Sequence, residues 1–321
     1  MTDTSTMREH SRRYSQKSDA LAALSYFGNF AIYFLSLYLA IQYADSWLVV
    51  PFLIVLAFSG VRLYVLQHDC GHWALFSTKR LNEWAGYLLS TFTFTPFKVM
   101  QYNHNLHHAY VGNLEARDTT EIFTMTLNEW NAAGPGKRLY YRLYRNPAIL
   151  IPVGAFWTYF FAYRWPRNTS KVGVAGVLVH DALLLAYLGV LYWLFGWTGV
   201  AVLLVGTLLG GMLGVFLVYL QHNFEDTYWD RKPDLDFTRA TLQGSSCLDF
   251  GWVFDEAVAN ITKHDIHHFN ASIPCYRLRQ AHRELEEEFG MRRIGFGEAL
   301  KSFTLKLWDE DKGKLVPFPK G

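Results

Sequence analysis

Charge is scarce in this chain. Only 18% of its 321 residues are Asp, Glu, Lys or Arg, against about 25% in an ordinary soluble domain. The formal net charge of +2 leaves no basic excess of the kind that holds a polyanion, so a nucleic-acid partner is not expected. Cysteine is scarcer still. Cys70, Cys247 and Cys275 are odd in number and lack zinc-type spacing, which argues against a disulfide framework. Residues 1–19 are polar, carry Arg8, Arg12, Arg13 and Lys17, and hold neither an apolar core nor a small-residue cleavage site. A cleaved signal peptide is therefore not expected there. Internal repeats, low-complexity stretches and flexible linkers are also missing.

What is plentiful is apolar sequence, and it is segregated. Hydrophobic residues make up 51% of the chain. Four runs, 20–41, 47–67, 172–195 and 197–220, each reach at least 20 residues, or about 30 Å as helix, the thickness of a bilayer's hydrocarbon core. Short links at 42–46 and Gly196 join them as two hairpins, and Pro51 opens the second run, where a helix tolerates proline. Two shorter runs, 84–97 and 148–163, are basic at both ends through Lys79, Arg80, Lys98, Arg145 and Arg164. Such flanks favour the cytoplasmic side, so these runs read as interfacial helices. The hairpin links carry no Lys or Arg and read as external. The expectation is four crossings with both termini in the cytoplasm. Gly206, Gly210 and Gly214, at four-residue spacing in the fourth run, read as a helix-packing stripe. Beyond Leu220 the sequence is of soluble type, with an amphipathic helix near 277–289 and a polar tail.

Histidine is concentrated in three clusters: His68 and His72; His104, His107 and His108; His264, His267 and His268. They hold eight of the twelve histidines. Residues three and four apart share a helix face, so each cluster presents its imidazoles as one prong. The topology puts all three prongs on the cytoplasmic side, where one site can form. Imidazole is the commonest metal ligand, and eight exceed the four of one tetrahedral zinc, which points to two metals. Spacing does not choose among iron, zinc, copper and nickel. His222, just past the fourth run, is a candidate ninth ligand or a plain interfacial residue. His180 and Asp181 lie inside the third run, as a functional pair or a satisfied polar contact. His10 and His282 read as solvated, and Cys70 as packing. Asp69, Asp118, Asp226 and Asp265 are candidates for orienting ligand imidazoles, or are caps and surface ion pairs. The expected fold is an all-α membrane protein. It has four transmembrane helices in two hairpins, interfacial helices, and a cytoplasmic helical cap carrying a di-metal site. Residues 1–19, 20–282 and 283–321 form its N-terminal segment, membrane domain and C-terminal segment.

The three clusters resemble the histidine boxes of the membrane-bound fatty acid desaturases and their hydroxylase relatives. Thr95-Pro96-Phe97, Gly112 to Glu115 with Asp118, and Ser272-Ile273-Pro274-Cys275-Tyr276-Arg277-Leu278 followed by Ala281-His282 are similar to the delta-12 (omega-6) branch. The resemblance runs from the second apolar run to His282. It implies two iron ions held by the eight box histidines and His222, O2 as co-substrate, and an acyl lipid or acyl thioester as substrate. Some relatives use an asparagine four residues before the His222 position. Here that residue is Val218, so that detail does not carry over. Nothing here resembles the haem motif of a fused cytochrome b5 domain, which implies a separate donor, reduced ferredoxin or cytochrome b5. The chemistry agrees, because an unactivated methylene offers neither an acidic proton nor a leaving group. Iron and oxygen supply the hydrogen removal, and the protein supplies orientation. The implied product is a cis double bond. Hydroxylation at the same centre is the nearest rival. A metal transporter would want ligands along the spans, where only His180 and Asp181 lie.

Overall fold

The computed structural model describes residues 4–119 and 122–319. Helix α1 (Asp19–Gln42) starts where the Ser18 hydroxyl accepts the Leu21 N–H, and Asp19 adds an acid to the first turn. Helix α2 (Val49–Gly71) carries Pro51 in its first turn, where the missing N–H costs nothing. It runs past residue 67 and takes His68 into its last turn, with His72 at its C-cap. The polarity boundary is thus not the helix boundary, because nothing before Gly71 breaks the backbone ladder. Helix α3 (Lys79–Thr93) is capped by the Thr78 hydroxyl and stops at Phe94 in a left-handed conformation. Helix α4 (Phe97–Tyr110) follows directly. Helix α5 (Pro147–Phe160) is capped by Asn146. Both α3 and α5 lie close to the two short apolar runs.

Among the described residues, three helices are long and apolar enough to cross a membrane: α1, α2 and α6 (Val174–His222). Four were expected. The third and fourth runs fall in one 49-residue stretch whose only non-helical residue is Gly196, at φ 62° and ψ −156°. That conformation is open to glycine and strained for other residues. A Cβ on Gly199 would lie 3.2 Å from the Leu191 carbonyl, whereas eight residues of continuous helix rise about 12 Å. The backbone therefore turns sharply at Gly196.

The glycine stripe of α6 serves two neighbours. A Cβ on Gly206 would collide with Leu56 of α2, and one on Gly210 would meet the Ala57 carbonyl at 3.0 Å. On the other side, Gly211 and Gly214 take up Tyr159 of α5. Close approach of this kind supplies the dispersion contacts that hold helices together where lipid removes the hydrophobic driving force.

Beyond α6 the chain folds over the helix ends. The short helix α7 (His264–Phe269) is followed by α8 (Cys275–Phe289). The fold is not purely helical. Strand β1 (Cys247–Asp249) pairs in parallel with β2 (Arg293–Gly295), and β3 (Leu307–Asp309) pairs antiparallel with β4 (Lys314–Val316). Three-residue strands are too short to show a period-two pattern, so sequence periodicity misses them. The N-terminal segment lies on this layer: Asn270 donates to Ser11 and Ser15 at 3.0 and 3.1 Å, and Ser18 N–H donates to the Tyr276 hydroxyl at 2.9 Å.

Gly210→Val drives a side chain against the Ala57 backbone, which has no rotamer with which to yield. Overpacking of this sort costs about 1–3 kcal/mol, and the thermal unfolding midpoint in detergent should fall accordingly. Gly176→Ala, with nothing within 4 Å of the added carbon, should leave it unchanged.

Candidate metal centre

Four elements deliver the nine histidines of the clusters and His222: α2 brings His68 and His72, α4 brings His104, His107 and His108, the end of α6 brings His222, and α7 brings His264, His267 and His268. They gather into two groups, each able to hold a metal ion. His68, His72, His104, His108 and His267 form a group of five, and His107, His222, His264 and His268 a group of four, with ligand atoms within 4.8 Å of one another in each. Helical phase makes this division. His104 and His108 are one turn apart and fall together, while His107, about 100° away round α4, faces the other group. In α7, His264 and His268 fall together and His267 points away.

The ring nitrogens converge closely. In the group of five, Nε2 of His104 lies 2.8 Å from that of His68 and 2.9 Å from that of His108, which is 3.0 Å from that of His267. In the group of four, His268 Nε2 lies 3.1 Å from those of His107 and His264, and His264 Nε2 lies 3.0 Å from that of His222. An imidazole nitrogen offers one proton or one lone pair, so runs of such contacts are poor hydrogen-bond chains. Nitrogens about 2.1 Å from a common ion and at right angles to one another stand about 3.0 Å apart, which these contacts match. His72 Nε2 is buried without a hydrogen-bond partner among the described residues, a costly state that a bound ion relieves. Burial first, then neighbouring imidazoles, holds His72, His104, His108, His264, His267 and His268 well below the usual imidazole range. They are therefore neutral at pH 7, the form that binds metal. The donor set fits two ions of the imidazole-preferring kind, iron included.

The surrounding residues differ in part from the sequence expectations. Asp69 does touch a cluster: Oδ1 lies 3.2 Å from His68 Nδ1, and Oδ2 accepts the Cys275 N–H at 2.6 Å. Asp265 does not orient a cluster imidazole. It accepts the Ile266 N–H at 2.8 Å and pairs with His282 at 3.4 Å. Asp226 is exposed and pairs with Arg292, well suited to a surface ion pair, and the Asp118 side chain lies outside the described residues. His222 is oriented instead by a backbone group, its Nδ1–H donating to the Gly244 carbonyl at 2.8 Å. Spacing carries no signal of that contact.

His282 is not solvated: it is 1% exposed, on the face of α8 that also buries Leu278, Ala281 and Leu285. His10 is half-buried and pairs with Glu288 at 2.6 Å. His180 sits in a satisfied polar contact. Arg164 donates to its Nε2 at 3.0 Å, which leaves Nδ1–H to donate to Ser90 Oγ at 2.7 Å, and Asp181 accepts from Arg164 at 2.8 Å. Cys70 is buried in the core and belongs to neither histidine group. Arg145, expected as an interfacial flank, is fully buried beside Asn223.

The depressed histidines link stability to pH. Above the ordinary imidazole pKa, near 6.5, neither folded nor unfolded chain binds these protons. Below it the unfolded chain takes them up first, so stability is present above about pH 6.5 and is lost as pH falls. The thermal midpoint of chelator-treated protein should change little from pH 7.5 to about 6.5 and then drop steadily to pH 5, and a flat profile throughout would contradict neutral buried clusters.

Comparison with known proteins agrees with this geometry. The sequence model for the family "Fatty acid desaturase" matches residues 45–299. The chain is 33% identical over 261 residues to a Bacillus subtilis protein named "Fatty acid desaturase", covering 80% of this chain and 74% of that one. It is 27% identical over 269 residues to the sn-1 acyl-lipid omega-3 desaturase (ferredoxin) of a Synechocystis strain, covering 79% and 72%. It is also 27% identical over 281 residues to a Delta(12) fatty acid desaturase of Caenorhabditis elegans, covering 82% and 73%. With buried histidines gathered for metal at the ends of apolar helices, and a family match over most of its length, the chain belongs to the fatty acid desaturases, oxidoreductases that act on fatty acyl chains.

Proposed function

We propose that the chain is an oxygen-dependent di-iron desaturase that places a cis double bond in a membrane-associated acyl chain, at the delta-12 position. The observation that carries this reading is the pair of buried all-imidazole groups, five and four strong. The nine histidines are the proposed ligands. Two bound irons supply the oxygen chemistry that removes hydrogen from an unactivated methylene. Overall, a CH2–CH2 unit, O2, two electrons and two protons give CH=CH and two waters. Reduced ferredoxin or cytochrome b5 supplies the electrons, docking on basic residues of the cytoplasmic face. The two arms of α6 on either side of Gly196 each cross once, giving four crossings in two hairpins with the termini and the centre in the cytoplasm.

The chain's own residues have three tasks in this reading. His72, His104, His108, His264, His267 and His268 stay neutral and keep their lone pairs for metal. Asp69 steadies His68 through Nδ1 and ties α2 to the start of α8 through Cys275. Apolar walls receive the methylene chain and keep water out. A cavity of about 40 Å³ among Tyr64, Phe92, Leu203 and the α6 glycines has room for a few methylene-sized groups of that chain, and Tyr64 stands one turn before His68 on α2.

Expression in a host with a compatible donor, followed by fatty acid profiling by mass spectrometry, tests the proposal. New diunsaturated chains are expected. Hydroxy-acids would reassign the centre to hydroxylation, and an unchanged profile with iron bound and the donor working would reject both. His107→Ala should leave the protein in the membrane, lower bound metal, and cut turnover by more than about 100-fold, since even groups that only orient ligands cost about 10–100-fold.

A further inference from the structure

A second polar site lies against the four-histidine group. A cavity of about 20 Å³ is lined by His107 and His222 on one side and by Thr124, Arg145, Tyr219 and Trp229 among its other walls. That is room for one or two water-sized groups, too little for an acyl chain.

The walls are rich in donors and positive charge. Arg145 is 0% exposed and Trp229 9% exposed. The Arg145 Nε–H and the Trp229 Nε1–H are both buried with no acceptor among the described residues. The other guanidinium nitrogens donate to neutral oxygens, among them those of Asn223 and Thr124 and the carbonyls of Phe123 and Leu305, and the Tyr219 hydroxyl is also a hydrogen-bond partner of Arg145. Behind this wall the Lys306 ammonium, also buried, donates to the Arg145 carbonyl at 2.6 Å and the Tyr219 hydroxyl at 3.3 Å. Among the described residues, no carboxylate forms an ion pair with Arg145 or Lys306. Burial, then the Arg145 charge, pushes Lys306 down to about 8, so it is still mostly charged at pH 7, and an arginine does not deprotonate. Two buried cations without an anion are an expensive arrangement. The Tyr219 ring, 5.1 Å from the guanidinium carbon, offsets only part of that cost.

We propose that this cavity binds a small monovalent anion, of chloride or carboxylate size, held by Arg145 and Trp229 against the four-histidine group. An anion is acceptor-only and takes both unpartnered N–H groups at once, while its charge offsets Arg145 and Lys306. The inference rests on these donors and charges, not on which metal the histidines hold.

The test uses the full chain in nanodiscs, with its metal as isolated. Thermal unfolding is followed while sodium chloride or sodium formate replaces sodium gluconate at constant ionic strength. Gluconate is too large for the cavity. The midpoint should rise and saturate with chloride or formate. Trp229→Phe, which removes one donor and keeps the ring packing, should raise the half-saturating concentration about tenfold, the loss expected for one hydrogen bond to a charged group. Identical midpoints in all three salts would overturn the proposal. So would a rise that Trp229→Phe leaves unchanged, since that anion would be binding elsewhere.

Discussion

The architecture depends on holding nine imidazoles together with little access to water. Desolvation penalises the protonated form, and each neighbour penalises it again. Neutral rings with converging lone pairs have no favourable mutual interaction of their own. They are kept together by the helices that carry them, and a bound metal is what makes their convergence favourable. The centre is therefore built from helix ends rather than loops, on backbones whose hydrogen bonds are already satisfied.

Packing below the centre sets the position of those ends. Gly206 and Gly210 let α2 and α6 approach closely, which brings the last turn of one helix, with His68, level with the last turn of the other, with His222. Asp69 then joins α2 to α8, and the Gly244 carbonyl fixes the His222 ring. A change in helix spacing more than ten residues from a ligand is thus felt at the ligand.

Positive charge is buried twice near this machinery, under different terms. Arg164 has Asp181 and a neutral His180 about it, a closed polar contact between helices. Arg145 and Lys306 have tyrosines and carbonyl oxygens about them and, among the described residues, no carboxylate partner. The first arrangement is complete within the chain. The second stands against a cavity shared with His107 and His222, and there an added anion would influence the charge of whatever the four histidines hold.

Local sequence determined much of this protein. Apolar runs of bilayer length, histidines three and four apart, and box-flanking residues that match a family are all short-range patterns, and helical geometry turns them into helices and prongs without help from the rest of the chain. Gly196 was legible as a link, though not as a single non-helical residue within one long helical stretch. Tertiary structure decided what needed partners distant in sequence. The split into five and four arises because α4 and α7 approach in a phase that no local spacing encodes. Asp69 and Asp265 occupy the same kind of position beside a box histidine, yet of the two only Asp69 reaches an imidazole of the clusters, because α8 draws Asp265 toward His282. Arg145 looked like an interfacial flank, and His282 like a solvated residue on a polar helix. Each is buried because residues more than a dozen positions away close over it, and burial of that kind is a property of docked surfaces rather than of neighbouring residues.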